Sequence, residues 1–263
     1  MEKRSGQKTR NGKVKSGVMG LDALIDGGIP PKSVVLVSGP PGSGKTIFCL
    51  QFIAQGAIGA GEKGLYLTFE EWEDKIVDQA AQFGWDFRAL EKKGLLRIAS
   101  IRHFTLGSIY SEVMKEIKDF KPKRLVMDSL TYFNLAASTR HRIVDLQEVA
   151  VDEAIYGGKT EKGAALEERG MPVRKAIIDL VGILQSKDIC TLATSEISRN
   201  SEWYSRDTLS EFACDGIIHL KSTAIGDDVQ RTLEVVKMRN TKVKGGIHAF
   251  EFTSKGVRIK GSK

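Results

Sequence analysis

Short apolar runs and amphipathic stretches alternate along most of this chain. Residues 33–38 read Ser-Val-Val-Leu-Val-Ser, a continuous apolar run bounded by turn residues. That is the pattern of a strand buried on both faces. Helical spacing follows over 46–60, then a strand over 65–69 and a helix over 75–83. The alternation continues with a strand at 95–99, a helix at 107–120 and a strand at 125–127. A helix over 173–186 carries Ile177, Leu180, Val181 and Leu184 on one face, and a strand over 189–194 comes next. Beyond it the helical spacing stops, and 216–220, 233–238, 249–252 and 257–259 read as consecutive antiparallel strands. This order predicts an α/β fold: a mostly parallel sheet flanked by helices, extended by a C-terminal antiparallel β-meander.

Two stretches fall outside the pattern. Residues 1–16 have no hydrophobic periodicity and read as a flexible basic tail ahead of one domain over 17–263. Residues 134–172 mix helical spacing with Gly-rich loop, too long for a plain connection, and read as an insertion within that domain.

Composition narrows the class. A chain of 263 residues, 41% hydrophobic and 28% charged, can bury a full core and is not disordered over most of its length. No apolar run approaches the roughly 20 residues of a membrane-spanning helix. The three cysteines, Cys49, Cys190 and Cys214, are scattered and odd in number, which argues against a disulfide framework or structural zinc. With no apolar h-region at the N-terminus, the expected compartment is the cytoplasm. The net charge of +7 is concentrated in residues 1–15, where six cations face Glu2 alone, leaving +2 for everything else. The body is therefore close to neutral, and only the tail offers a basic arm to an anionic partner.

The strongest chemical signal follows the first strand. Gly39-Pro40-Pro41-Gly42-Ser43-Gly44-Lys45-Thr46 fits Gly-x-x-x-x-Gly-Lys-[Ser/Thr], with a buried strand before it and a helix after it. Glycines let backbone N–H groups turn inward around phosphate oxygens, and the helix start adds its positive end. Lys45 supplies a point charge to the β- and γ-phosphates of ATP, and Thr46 offers a hydroxyl to Mg²⁺. Ile47 follows on the same first turn and is counted with the nucleotide-binding residues. A similar Gly157-Gly158-Lys159-Thr160 has Glu153 where the first glycine belongs and no buried strand before it, so it reads as a loop.

The acids around this loop suggest hydrolysis. Strand 65–69 ends in Phe69-Glu70-Glu71, and strand C-terminal ends of a parallel sheet border the ligand crevice. A carboxylate there can orient a water and accept its proton. Spacing does not separate the two glutamates; Glu71 is placed first and Glu70 second. Leu125-Val126-Met127-Asp128 ends a hydrophobic strand in an acid, which suits the Mg²⁺ side of the site. Asp179 lies within a helical pattern and is set aside. His103, His141, His219 and His248 show no metal-ligand spacing.

Together these residues resemble the RecA-type ATPases, and specifically their KaiC-like branch, which is shared with archaeal RadA-like proteins. The stretches that carry the resemblance are Gly17-Val-Met-Gly-Leu-Asp-Ala-Leu-Ile-Asp-Gly-Gly-Ile-Pro, Tyr66-Leu-Thr-Phe-Glu-Glu, Phe83-Gly-Trp-Asp, Met127-Asp-Ser-Leu and Val236-Lys-Met-Arg-Asn-Thr. The resemblance spans about residues 17–260 and implies a RecA-like P-loop core. It also implies ATP hydrolysis at the subunit interfaces of a homo-oligomeric ring, often a hexamer. In such rings a late-strand Lys-x-Arg, here Lys237 and Arg239 with Thr241 close by, reaches the neighbour's γ-phosphate. Gln82 falls where the family contacts nucleotide, and Glu196, ending Thr194-Ser195-Glu196, where a γ-phosphate sensor would stand.

The sequence also departs from these relatives. The family's clock protein has two such domains in tandem, and only one is present here. Where its paired Ser/Thr phosphorylation site would fall, this chain has Glu211-Phe212-Ala213-Cys214. RadA-like recombinases carry an added N-terminal DNA-binding domain; here the stretch ahead of residue 17 reads as a short basic tail, so strand exchange is not the expected activity. The loop after the Glu196 strand nevertheless interleaves Arg199, Trp203, Tyr204 and Arg206, a mixture that can grip phosphates and stack bases. Three readings follow: a ring-forming KaiC-like ATPase, a single-stranded-DNA-dependent ATPase, or a nucleotide-dependent switch with little turnover. The two glutamates favour the first over the third, since a pocket that only switches needs no base.

Overall fold

A computed structural model describes residues 12–102, 106–131 and 171–261. The 134–172 segment up to residue 170, its Gly157–Thr160 stretch, His103 and His141 lie outside the described residues.

The described elements are α1 (Leu21–Leu24), β1 (Val34–Gly39), α2 (Lys45–Gln55), β2 (Gly64–Thr68), α3 (Glu73–Ala81), α4 (Phe87–Lys92), β3 (Leu96–Ser100), α5 (Leu106–Phe120), β4 (Arg124–Asp128), α6 (Met171–Ser186), β5 (Cys190–Glu196), α7 (Ser210–Ala213), β6 (Gly216–Ile225), β7 (Asp228–Met238), β8 (Ile247–Thr253) and β9 (Gly256–Ile259). A π-helical turn, Gly56–Ala60, continues α2. All strands join one sheet in the order β3-β2-β4-β5-β1-β6-β7-β8-β9. The pairs from β3 through β1 are parallel, and so is β1 with β6. β6 therefore still belongs to the parallel run on one side, while on the other it starts the antiparallel β6–β9 meander.

Each sheet face carries its own core. On one face α2, α3, α4 and the N-terminal segment pack with β9; on the other α5 and α6 cover Leu36, Leu67, Leu125 and Met127. β1 is buried at all six positions, which is why it reads as an unbroken apolar run. α2 buries Phe48, Cys49, Leu50, Phe52 and Ile53 because the N-terminal segment covers its outer side. Each such aromatic or aliphatic side chain contributes roughly 1.5–3 kcal/mol on burial.

That segment begins earlier than hydrophobic pattern suggests. Val14 N–H donates to Ile29 O at 2.7 Å and Ile29 N–H to Val14 O at 2.8 Å. Lys13 Nζ donates to Asp26 O at 2.8 Å and also to Thr241. Residues 12–16, expected inside the basic tail, are thus packed against the fold. Three further differences have local causes. α4 is too short for a periodicity signal, although Asp86 caps it, accepting from Ala89 N–H at 2.9 Å. The outer halves of β6 and β7 are polar and largely exposed, so they lack the alternation that marks a strand. Trp72 and Trp85 both read from the sequence as packing residues near the nucleotide side; Trp85 is buried in the core, but Trp72 is 64% exposed, with the Arg102 guanidinium 4.3 Å from its ring centroid.

Candidate functional site

The site forms where β1, β2, β4 and β5 end side by side. Gly39 closes β1, and the next residues turn tightly, Ser43 N–H donating to Pro40 O at 3.2 Å. Gly44 then adopts φ 100°, a left-handed conformation, and a Cβ there would lie 2.6 Å from the Phe252 ring. Only glycine meets both constraints, and α2 starts immediately after it.

Lys45 is buried, and its Nζ donates to Gly39 O at 2.9 Å and Pro40 O at 3.1 Å. Glu196 Oε1 lies 3.8 Å from the same amine. Burial lowers the lysine's pKa, and the nearby Glu196, Asp128 and Glu70 carboxylates pull it back up. Beside it, Ser43 Oγ is buried with no hydrogen-bond partner among the described residues. An orphaned hydroxyl and an amine resting on the loop's own carbonyls fit an anion seated in the turn.

Asp128, at the end of β4, is held from the two neighbouring strands and a helix. Thr46 Oγ1 donates to its Oδ2 at 3.1 Å, Tyr66 OH to the same oxygen at 2.6 Å, and Thr194 Oγ1 to Oδ1 at 2.6 Å. A hydroxyl and a carboxylate oxygen beside a phosphate cradle suit a hard cation such as Mg²⁺, which takes few protein ligands when phosphates supply the rest. The rejected Asp179 is exposed on α6.

The two glutamates part company. The Glu70 carboxylate accepts from Ser129 Oγ at 2.6 Å and faces the cleft. The Glu71 carboxylate accepts from Gln79 Nε2 at 2.6 Å, its backbone is fixed by Thr68, and it does not line the cleft. The cleft has a volume of about 340 Å³, and its walls include Pro41, Gly42, Gly44, Lys45, Thr46, Ile47, Glu70, Asp128, Ser129 and Glu196. Gln79 and Phe252 complete it. Neither is legible as a site residue from spacing alone, although Gln79 is one helical turn before Gln82, which is exposed at the end of α3 and does not line the cleft.

Lys237, Arg239 and Thr241 are elsewhere. β6 runs parallel to β1 with Val35 opposite Gly216, and Gly216 pairs with Met238 of β7. The end of β7 is therefore level with the start of β1, and the cradle lies at its other end, roughly 15 Å away at 3.3 Å per residue. Lys237 Nζ donates to Cys214 O at 2.7 Å and Glu211 O at 3.2 Å. Arg239 is half exposed and reaches Phe212 O at 3.2 Å and Asp215 Oδ1 at 3.4 Å. Thr241 Oγ1 donates to Ile25 O at 3.1 Å. Within one chain these residues cannot touch the cradle.

The aromatic-basic loop borders a second, open groove of about 430 Å³ against β6, which touches the cradle at Pro40. Arg199, Trp203 and Tyr204 line it together with Lys221. Arg206 is exposed outside it. Tyr204 packs edge-on against His219 with ring centroids 5.3 Å apart.

Comparison with known proteins finds relatives that cover most of the chain. The family model described as "ATPase: KaiC" matches residues 14–151 and 161–263. A UPF0273 protein of Methanocaldococcus jannaschii is 30% identical over 249 residues, covering 94% of this chain and 96% of the relative. A UPF0273 protein of Thermotoga maritima is 33% identical over 250 residues, covering 94% of this chain and 95% of the relative. The circadian clock oscillator protein KaiC of Parathermosynechococcus lividus is 28% identical over 257 residues, and the match spans 42% of its length. Among solved structures, a KaiC-like protein of Pyrococcus horikoshii superposes with a TM-score of 0.75 at 30% identity, covering 94% of this chain and 98% of that one. Among the described residues no helix is long and apolar enough to cross a membrane.

Proposed function

This chain belongs to the KaiC family of ATPases, and from that premise we propose that it binds ATP with Mg²⁺ and hydrolyses it within a homo-oligomeric ring. The observation that carries the reading is the convergence of Lys45, Asp128 and the Glu70 carboxylate on one cleft. A phosphate cradle with a cation side and a base side is what in-line attack of water on a γ-phosphate requires.

In this reading the backbone of the 39–46 turn binds the β- and γ-phosphates, and Lys45 exchanges its loop carbonyls for phosphate oxygens. Thr46 and Asp128 hold Mg²⁺, which when bound offsets charge on the phosphate oxygens. Glu70 orients the attacking water and takes its proton, and Glu71, tied to Gln79, fixes the start of α3 behind it. Glu196, next to Lys45, registers whether a γ-phosphate is present. Phe252 and Ile47 offer apolar surface to the base. The distance between the cradle and Lys237, Arg239 and Thr241 supports a role for these residues on the neighbouring subunit's nucleotide, where a cation can offset the developing charge.

A second reading, ATPase activity that depends on single-stranded DNA, is favoured by exposed Arg199 and Trp203 beside Lys221 in the groove next to Pro40. One experiment tests both. ATP turnover is measured for the wild type, Glu70→Gln and Glu71→Gln, with and without single-stranded DNA, while assembly is followed by light scattering. Turnover that falls at least about 100-fold in Glu70→Gln, less in Glu71→Gln, and ignores DNA supports the first reading. Strong DNA stimulation moves the conclusion to the second. Nucleotide binding without turnover in the wild type overturns both and leaves a switch.

A further inference from the structure

Tyr66 sits in the middle of β2 and is completely buried. Phenylalanine would fill the same apolar volume. The hydroxyl is what needs explaining, and its partner is Asp128 Oδ2 at 2.6 Å. Burial first, and the Asp128 charge second, hold the phenol's pKa well above its ordinary value.

The carboxylate it meets is unusually constrained. β4 lies between β2 and β5. Tyr66 comes from one neighbour and reaches Oδ2; Thr194 comes from the other and reaches Oδ1 at 2.6 Å. Hydroxyls thus grip both oxygens from opposite sides of the strand, which prevents rotation of the carboxylate plane. Thr46 is the third donor, at 3.1 Å to Oδ2. A carboxylate offers about four acceptor positions, so one stays open. Of the three donors, only Thr46 belongs to the phosphate cradle and would have to share its oxygen with a cation. Tyr66 keeps Oδ2 in place while Thr46 changes partners.

We propose that Tyr66 is a positioning residue for Mg²⁺-nucleotide binding, which it serves by fixing Asp128 from β2 while Thr194 does the same from β5. The inference rests on the Mg²⁺-ATP reading of the cleft. Partners that orient a metal-side group usually matter to metal affinity by 10- to 100-fold, and the smaller figure suits a carboxylate that keeps two of its three donors.

The test uses the full chain and reads binding, not turnover. A fluorescent ADP analogue is titrated at increasing Mg²⁺ with wild type, Tyr66→Phe, Thr194→Val and Thr194→Ser, and each protein's melting temperature is recorded without metal. Tyr66→Phe is expected to raise the Mg²⁺ concentration for half-maximal nucleotide retention about tenfold. Nucleotide affinity at saturating Mg²⁺ should stay within about twofold of wild type, since Thr46 and the cradle are untouched. Thr194→Val should shift the Mg²⁺ midpoint in the same direction, and Thr194→Ser should restore it. If Tyr66→Phe does not fold, the valine–serine pair still decides: a midpoint that Val leaves unmoved overturns the positioning network. A lower melting temperature with an unmoved Mg²⁺ midpoint would make Tyr66 purely structural and overturn the inference alone. Nucleotide retention by the wild type that ignores Mg²⁺ would overturn the cleft reading together with it.

Discussion

Lys45 and Glu196 face one another across the joint between β1 and β5, Nζ to Oε1 at 3.8 Å. The register that pairs Gly39 with Glu196 sets this approach, so two adjacent strand ends bring the cradle's cation and an acid to the same spot. The lysine is nearly buried, and the glutamate side chain is 38% exposed. A γ-phosphate entering between them would take over the lysine and repel the carboxylate. Glu196→Gln is therefore expected to keep nucleotide affinity within a few-fold of wild type. It should reduce the preference for ATP over ADP, because a neutral amide no longer distinguishes the extra charge. Lys45→Ala should lower affinity for both nucleotides by about 100-fold, near the loss of a charge-assisted pair of 2–3 kcal/mol. Competition titrations with a fluorescent nucleotide separate the two outcomes; an unchanged ATP/ADP ratio in Glu196→Gln would remove Glu196 as a sensor.

A second prediction uses the distance between the cradle and the end of β7. In the proposed ring Arg239 and Lys237 serve the next subunit, and Glu70 its own. Glu70→Gln and Arg239→Ala should each abolish most turnover alone. Mixed in equal amounts and reassembled, the two variants create some interfaces that combine an intact Glu70 with an intact Arg239. Such mixtures should regain about a quarter of wild-type activity under random assembly, reading the loss of each group as a loss of transition-state stabilisation at its own interface. Mixtures that stay inactive would place Arg239 outside the catalytic interface.

The limits of the sequence can be traced to individual residues. The cradle was legible because its chemistry is local: eight consecutive residues between a buried strand and a helix. Asp128 was legible because it ends an apolar run. Tyr66 was not, since a strand buried on both faces reads as uniformly apolar and hides a hydroxyl aimed along it. Glu70 and Glu71 could not be separated because only the turn after β2 decides which carboxylate faces the cleft. Gln79 was missed although the family position Gln82 sits one turn away on the same helix, since helix phase is fixed by where α3 starts. The polar half of the β6–β7 hairpin lacks a buried face and so carries no pattern to read.

The N-terminal segment should depend on one buried cation. Arg124 is 2% exposed at the start of β4. Its Nε donates to Glu62 Oε2 at 2.6 Å, and its Nη1 to Lys15 O at 2.8 Å and Phe52 O at 2.9 Å. The guanidinium also lies 4.6 Å from the Phe52 ring centroid. It thus ties β4, α2 and the 12–18 segment together. Arg124→Ala should cost about 3 kcal/mol by orphaning Glu62 and two carbonyls. That corresponds to a melting temperature lower by roughly 6–12 °C. Hydrogen exchange should rise first at Val14 and Ile29, whose pairing the tether supports. A loss below about 1 kcal/mol would show that the surrounding carbonyls find water instead.

Acid should weaken the fold through His219. This residue is buried beneath Tyr204, its Nδ1 has no hydrogen-bond partner among the described residues, and its pKa is lowered to about 4. Burial is the main cause, and the Lys221 charge adds to it. The sign follows from comparing the two states. Below the ordinary histidine pKa of about 6.5 the unfolded chain takes up a proton, while the folded chain resists until about pH 4. The unfolded state therefore binds more protons throughout that window, and stability falls as pH drops from 6.5 towards 4, then levels off with respect to this group. Carboxylates titrate near the lower end of the same range, so the contribution is read as a difference between proteins. Melting temperatures of wild type and His219→Gln are measured from pH 7.5 to 4.5. The variant is expected to be less stable at pH 7.5, where the imidazole packing is lost, and to have a shallower decline between pH 6.5 and 4.5. Parallel curves would mean that the imidazole gains its proton in the folded protein without penalty, and that His219 is not a buried neutral group.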